Sequence, residues 1–180
     1  MTVLRKIKMV YRGVKHRLGI EPPLTIEMPA NSCLHNDARL PQFKVTKRER
    51  IRPLLRDDVA CIEHADVLDC LPQSLRERYD IEPADRTAAA FDYDPIGLDL
   101  IERSHDGLIL DCGSGLRRVY RPNVVNFEIL RNATTDVLGV GEELPFKDDV
   151  FDAAFSLSVL EHVKNPFLCA QELARVLKPG

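Results

Sequence analysis

The sequence predicts an α/β protein built on a parallel sheet, and three features of its C-terminal part carry that expectation. From residue 108 onward, four short apolar runs, one of them rich in β-branched residues, alternate with turns, the texture of strands in a parallel sheet. An amphipathic pattern with a Pro-Gly stop closes the chain, as a helix covering such a sheet would. The first run ends in Asp111 followed by Cys-Gly-Ser-Gly, a turn standing where an open parallel sheet forms its ligand crevice.

Taken in order, residues 4–18 (LRKIKMVYRGVKHRL) put Leu4, Ile7, Tyr11, Val14 and Leu18 at three- and four-residue intervals among basic residues. That spacing predicts an amphipathic basic helix, resting on the domain through its apolar stripe or touching a membrane surface or a partner. Prolines at 22, 23, 29, 41 and 53 break the periodicity of the next stretch, which reads as a loop-rich linker with one short strand near residues 43–46. Residues 54–80 read as short helices, and His64, lone between Cys61 and Cys70, reads as a surface or core residue rather than a metal ligand. Asp94-Pro95 is an N-cap followed by proline at the first helical position, so Ile96, Leu98, Leu100 and Ile101 fall on a helix ending near Gly107. LILDC, NVVNFEI, TDVLGV and FDAAFSLS are then the four strands. The final helix presents Phe167, Leu168, Ala170, Leu173, Ala174 and Leu177 on one face and stops at Pro179-Gly180.

Composition sets the outer bounds. With 180 residues, 44% hydrophobic and 29% charged, the chain suits one soluble globular core. No segment approaches the roughly 20 apolar residues of a membrane span, and no secretory leader is read at the start, so a cytoplasmic address is expected. Five cysteines without a C-x-x-C pair argue against a zinc ribbon or a thioredoxin-like redox pair, and reduced thiols are expected. The net charge of -3 is unevenly spread: residues 1–56 hold 13 Lys and Arg against 4 Asp and Glu, and the remainder 12 against 24. Such asymmetry means either a surface for phosphates or two segments that attract each other.

The turn after the first strand carries chemistry. Gly113 and Gly115 let the backbone turn tightly and approach a ligand with no Cβ in the way, and free N–H groups at the turn would face it. Glu128, at the tip of the next strand, is placed to accept hydrogen bonds from both hydroxyls of a ribose. A dinucleotide fingerprint would require a third glycine, G-x-G-x-x-G, where Arg118 stands. The acid-first order Asp-x-Gly-x-Gly suits a cationic ligand without a pyrophosphate instead.

LILDCGSG, VVNFEI, EELPFKDDVFDAAFSLSVLEHV and ELARVLKPG, in this order, resemble class I S-adenosylmethionine-dependent methyltransferases, in particular the methyltransferase type 11 branch. The resemblance covers about residues 93–180 and implies a Rossmann-like parallel sheet that is incomplete at the C-terminus, behind a basic N-terminal extension over residues 1–92. It also implies S-adenosyl-L-methionine as cofactor. Asp111, Gly113 and Gly115 then look like the loop around its methionine part and ribose, and Glu128 like the ribose-binding acid. The backbone around Ser156 and Leu157 resembles the place that meets the methionine ammonium. Glu161 and His162 would begin the next helix at the rim of the substrate crevice, with His162 as a base or simply packing or capping, while Asp152 is structural. Methyl transfer is a displacement from an activated sulfonium, so alignment supplies much of the acceleration and catalytic residues need not stand out.

Three departures from the family pattern follow. Only 17 positions separate Asp111 from Glu128 and 16 separate Glu128 from Leu144, so both crossovers must be reduced. Relatives commonly carry an adenine-binding Asp where this chain has Val140, which shifts that role to Glu142, Glu143 or backbone. Relatives also continue past the Lys-Pro-Gly into further strands, so the chain is expected to be a truncated form, or one whose basic half covers the edge left by the fourth strand. The resemblance implies a small-molecule, lipid or glycan methyl acceptor. An inactive methyltransferase-fold protein that binds a partner through its basic half is the alternative, and a nucleic-acid methyltransferase is disfavoured because no aromatic residues interleave the basic clusters and no Asn/Asp-Pro-Pro-aromatic block follows the fourth strand.

Overall fold

The computed structural model describes residues 26–27, 39–81 and 93–180; the basic helix expected over residues 4–18 lies outside them. In chain order the elements are β1 (Ile26–Glu27), α1 (Leu40–Ile51), a 3-10 turn (Arg52–Leu54), β2 (Ile62–Glu63), β3 (Leu68–Asp69), α2 (Gln73–Tyr79), α3 (Pro95–Arg103), β4 (Ile109–Cys112), β5 (Val119–Tyr120), β6 (Val124–Glu128), β7 (Val137–Leu138), β8 (Ala153–Phe155) and α4 (Pro166–Val176). Six of the strands form one sheet in the order β2-β3-β7-β6-β4-β8. Every neighbouring pair is parallel except the β2–β3 hairpin. The α/β class and Rossmann-like parallel sheet expected from the sequence are therefore what the chain adopts.

The strands arise where the apolar runs are. All four residues of β4 are buried, and Val124, Val125 and Phe127 of β6 are 2% exposed or less, as a doubly covered sheet requires. No helix separates β4 from β6, or β6 from β7: the short spacings leave room only for β5 and turns. Phe127, Phe146 and Phe151 form the aromatic centre of the core, with ring centroids 5.9 Å and 4.9 Å apart along the series in edge-to-face contacts. Asp94 caps α3 as its sequence predicts, its Oδ1 accepting from the Gly97 amide at 2.7 Å.

Several expectations are corrected. Residues 43–46 lie inside α1 rather than on a strand. The buried positions of α1 are Leu40, Lys44, Lys47, Arg48 and Ile51, a helical stripe whose middle is basic, which hides the period from a hydrophobicity reading. Those cations are satisfied internally: Lys47 Nζ meets Asp136 at 2.8 Å and the Val124 carbonyl at 2.6 Å, and lies 3.6 Å from the centre of the Tyr120 ring. Arg48 binds Glu63 and the Ala65 carbonyl. Residues 54–80 hold the β2–β3 hairpin as well as helix α2. Cys61 and Cys70 flank that hairpin and are joined in a disulfide, with Cα atoms 4.2 Å apart, where reduced thiols were expected. On α4, Cys169, Ala174 and Val176 are buried whereas Phe167 is 82% exposed, because the helix docks through the opposite side of its first turn. Among the described residues, β8 pairs with β4 alone, and the strands from the N-terminal half extend the far edge at β7 instead. No described helix is long and apolar enough to cross a membrane.

Candidate functional site

A cavity of about 500 Å³ opens beyond the carboxyl ends of β4 and β6. Its walls come from the turn after β4 (Gly113, Gly115), the tip of β6 (Glu128), the segment after β7 (Gly141, Glu142) and the segment after β8 (Leu157, His162). Six of the eight residues singled out in the sequence as cofactor or catalytic candidates thus share one cavity: Gly113, Gly115, Glu128, Glu142, Leu157 and His162. Asp111 and Ser156 do not line it.

Gly113 and Gly115 have φ of +77° and +57°, a conformation that favours glycine. At Gly113 space matters as well, since a Cβ there would come within 2.3 Å of a Val159 methyl. The amides of this turn do not face the ligand space as expected. Gly113 N and Ser114 N donate to the Phe127 carbonyl at 2.9 and 3.1 Å, and Gly115 N donates to Glu128 Oε2 at 2.8 Å. The turn is thus stitched to β6, which fixes the shape of the cavity floor.

Asp111 departs most from its expected role. It is fully buried and turned under the turn, where Arg117 clasps it: Nε reaches Oδ2 at 2.8 Å and Nη2 reaches Oδ1 at 3.1 Å. The Tyr93 hydroxyl donates to the same Oδ2 at 2.5 Å, and the guanidinium lies 4.3 Å from the Tyr93 ring centre. Burial first, and the Asp111 charge second, push the Tyr93 phenol far above its ordinary range, so it stays a donor. Asp111 is therefore a brace for the Arg117 wall of the cavity and not a ligand-facing acid. Ser156 likewise turns inward, its hydroxyl buried without a hydrogen-bond partner among the described residues.

The carboxylates that do reach the cavity are Glu128 and Glu142. Glu128 holds Gly115 N through Oε2 and Ile129 N through Oε1, both at 2.8 Å, and each oxygen keeps a further lone pair. Glu142 is 3% exposed; its Oε1 accepts from Asn165 N at 3.2 Å, and its Oε2 has no partner among the described residues. Val140 is 1% exposed and packs with Val67, Leu71 and Leu138. The site is consequently rich in acceptors, and it suits a ligand that presents hydroxyls, an amine or a positive charge.

His162 lines the cavity from a turn rather than from a helix: its amide donates to the Val159 carbonyl at 2.8 Å, and α4 starts only at Pro166. Glu161 is exposed and off the cavity wall. Asp152 is structural, as its sequence setting suggests, accepting from Leu108 N at 3.0 Å and pairing with Lys178 at 2.9 Å. Sequence reasoning missed Arg117 and Tyr79 in the wall. Neither left a signal in the sequence: the burial of Arg117 beside Asp111 is visible only in the fold, and Tyr79 comes from α2 in the N-terminal half.

Residues 111–180 match a family model described as a methyltransferase domain. An uncharacterized methyltransferase from Mycolicibacterium vanbaalenii is 44% identical to this chain over 48 residues, 27% of this chain and 19% of that protein. The match spans about a fifth of that relative's length.

Proposed function

We propose, on the premise that residues 111–180 form a methyltransferase domain, that the cavity binds S-adenosyl-L-methionine and that the chain transfers its methyl group to a small-molecule, lipid or glycan acceptor. The observation that carries this reading is the pair of carboxylates, Glu128 and Glu142, converging on one cavity above a glycine turn. A cavity of about 500 Å³ falls within the usual range for cofactor sites. Glu128, at the tip of β6, is the residue to hold the ribose hydroxyls, and Glu142 the one to hold an amine. The activated methyl would be supplied by the bound cofactor. The chain's own work is to orient and to exclude water, through Val159 packed on Gly113 and through Leu157 at the mouth. His162, which lines the cavity, is the residue assigned here to take up an acceptor proton. A cytoplasmic setting belongs to the same proposal.

A second reading, a methyltransferase-fold protein without activity that binds a partner through its basic half, has one observation in its favour: Asp111 is sequestered by Arg117 instead of facing the cavity. Calorimetric titration with S-adenosylhomocysteine separates the two. The first reading expects micromolar or tighter binding, weakened about 10- to 100-fold in Glu128→Ala by loss of a charge-assisted hydrogen bond. It also expects binding to be abolished in Gly113→Arg. No binding to the wild-type chain, or unchanged affinity in both variants, would overturn it.

A further inference from the structure

Two cysteines outside the disulfide, Cys112 and Cys169, are both buried, and methyl transfer has no use for a thiol at either position. They come from different elements, Cys112 from the end of β4 and Cys169 from the first half of α4. Gly141 brings them together: a Cβ on that glycine would lie 2.8 Å from Cys169 Sγ and 3.4 Å from Cys112 Sγ. Both sulfurs therefore occupy the space over one glycine Cα, and the absence of a side chain there gives them room. Cys112 and Gly141 are themselves cavity wall, so the pair lies directly behind the proposed cofactor site. The two thiols interact, and in opposite senses. The neighbouring Cys169, with burial second, pushes the Cys112 thiol well up, whereas hydrogen bonding from Cys112 pulls the Cys169 thiol down.

We propose that Cys112 and Cys169 form an oxidisable dithiol that a peroxide converts to a disulfide, and that this modification closes the site to its cofactor. The proposal rests on the cofactor reading for its functional consequence and on geometry alone for the bond itself. A small oxidant approaches the pair from the cavity, on whose wall Cys112 lies. The Cys169 thiolate, whose proton is held less tightly than that of Cys112, attacks one peroxide oxygen, the O–O bond breaks, and the departing hydroxide leaves as water after taking a proton, giving a sulfenic acid. The Cys112 sulfur then attacks the sulfenic sulfur as its own proton passes to the departing oxygen, the S–O bond breaks, and a second water leaves. The peroxide is reduced by two electrons and the two thiols are oxidised by two. The new bond fixes the two Cβ atoms about 4 Å apart and so ties the end of β4, just before the glycine turn, to α4. Gly113 and Gly115 follow Cys112 directly, so the cavity floor shifts with it. By linkage, bound cofactor must oppose the disulfide by the factor that the disulfide opposes binding.

The test treats the whole chain with hydrogen peroxide and reads intact mass together with a peptide map under differential alkylation, with and without S-adenosylhomocysteine. The expected result is a further loss of two hydrogens, a cross-linked pair of peptides containing Cys112 and Cys169, and slower formation when the ligand is present. Cys169→Ser should not form the cross-link, and the oxidised wild type should bind S-adenosylhomocysteine about tenfold or more weakly until dithiothreitol restores it. If both thiols remain alkylatable after oxidation, or if either pairs with Cys33, which lies outside the described residues, the dithiol is overturned. If the cross-link forms and affinity is unchanged, its control of the site is overturned. If the cross-link forms but neither redox form binds S-adenosylhomocysteine, the cofactor reading fails and the control falls with it, while the dithiol chemistry stands on the mass readout.

Discussion

Glu142 illustrates what one residue can decide in this site. A carboxylate that is 3% exposed is costly unless something answers its charge, and here one backbone amide answers one oxygen. The other oxygen waits for a donor from the cavity. If that donor is the exocyclic amine of adenine, replacing the amine by a carbonyl sets two acceptors against each other. S-inosylhomocysteine should then bind the wild-type chain about tenfold or more weakly than S-adenosylhomocysteine, the loss of one hydrogen bond to a charged group. Glu142→Gln can turn an amide N–H toward the carbonyl, so the ratio should narrow toward unity or invert. Equal affinities for the two ligands in the wild type would remove Glu142 from base recognition. Asp111 makes the opposite point: the motif locates it at the end of β4, yet its rotamer depends on Arg117 and Tyr93, which no motif spacing encodes.

Among the elements, α1 is held by charge where most helices are held by hydrocarbon. Burial depresses the Lys47 ammonium to about 8, with Asp136 acting against that shift, and the folded state therefore releases this proton before the unfolded chain does. Below pH 8 both states are protonated and the cost of burying the charge is fully present. Between pH 8 and 10 the cost is progressively relieved, by up to about 3 kcal/mol, so the urea midpoint should rise over that window. Above pH 10 the sign reverses, since burial keeps the Tyr93 and Tyr120 phenols protonated in the fold while the unfolded chain ionises. Lys47→Met should lower stability at pH 7 by about 3–5 kcal/mol by leaving Asp136 short of its countercharge, and adding Asp136→Leu should not recover the loss, because the buried Tyr120 hydroxyl and Asn126 amide then lose their acceptor. Chemical denaturation of the two variants checks both statements. The same helix marks the limit of what the sequence discloses. β4, β6, β7, β8, α3 and α4 were legible because apolar runs and an Asp-Pro cap announce them. A buried stripe of lysine and arginine looks like a solvated surface, and two-residue strands such as β2 and β3 are too short to carry a period.

For the molecule as a whole, the disulfide and the sheet act on the same region. Cys61–Cys70 closes a loop across the β2–β3 hairpin with a sequence separation of 9. A loop of that size restricts the unfolded chain enough to stabilise the fold by about 2–3 kcal/mol. Dithiothreitol, or the variant Cys61→Ser/Cys70→Ser, should therefore lower the unfolding free energy read from urea denaturation by that amount, and an unchanged midpoint would mean that the bridge is absent in solution. β3 carries the constraint into the sheet, where Cys70 N donates to the Leu138 carbonyl at 3.0 Å. The next turn of chain leads to α2 and Tyr79 on the cavity wall.

That pairing of β3 with β7 bears on how the C-terminal half can be isolated. A recombinant piece cut at residue 93 would keep the glycine turn and both carboxylates but strip the backbone of Val137 and Leu138 of the strand that covers it. Bare amides and carbonyls along a fully buried strand recruit whatever strand is nearest, and in a concentrated solution that is another copy of the same piece. A piece that starts at residue 93 should thus aggregate more readily than one that keeps the hairpin, and the boundary for cloning belongs upstream of it.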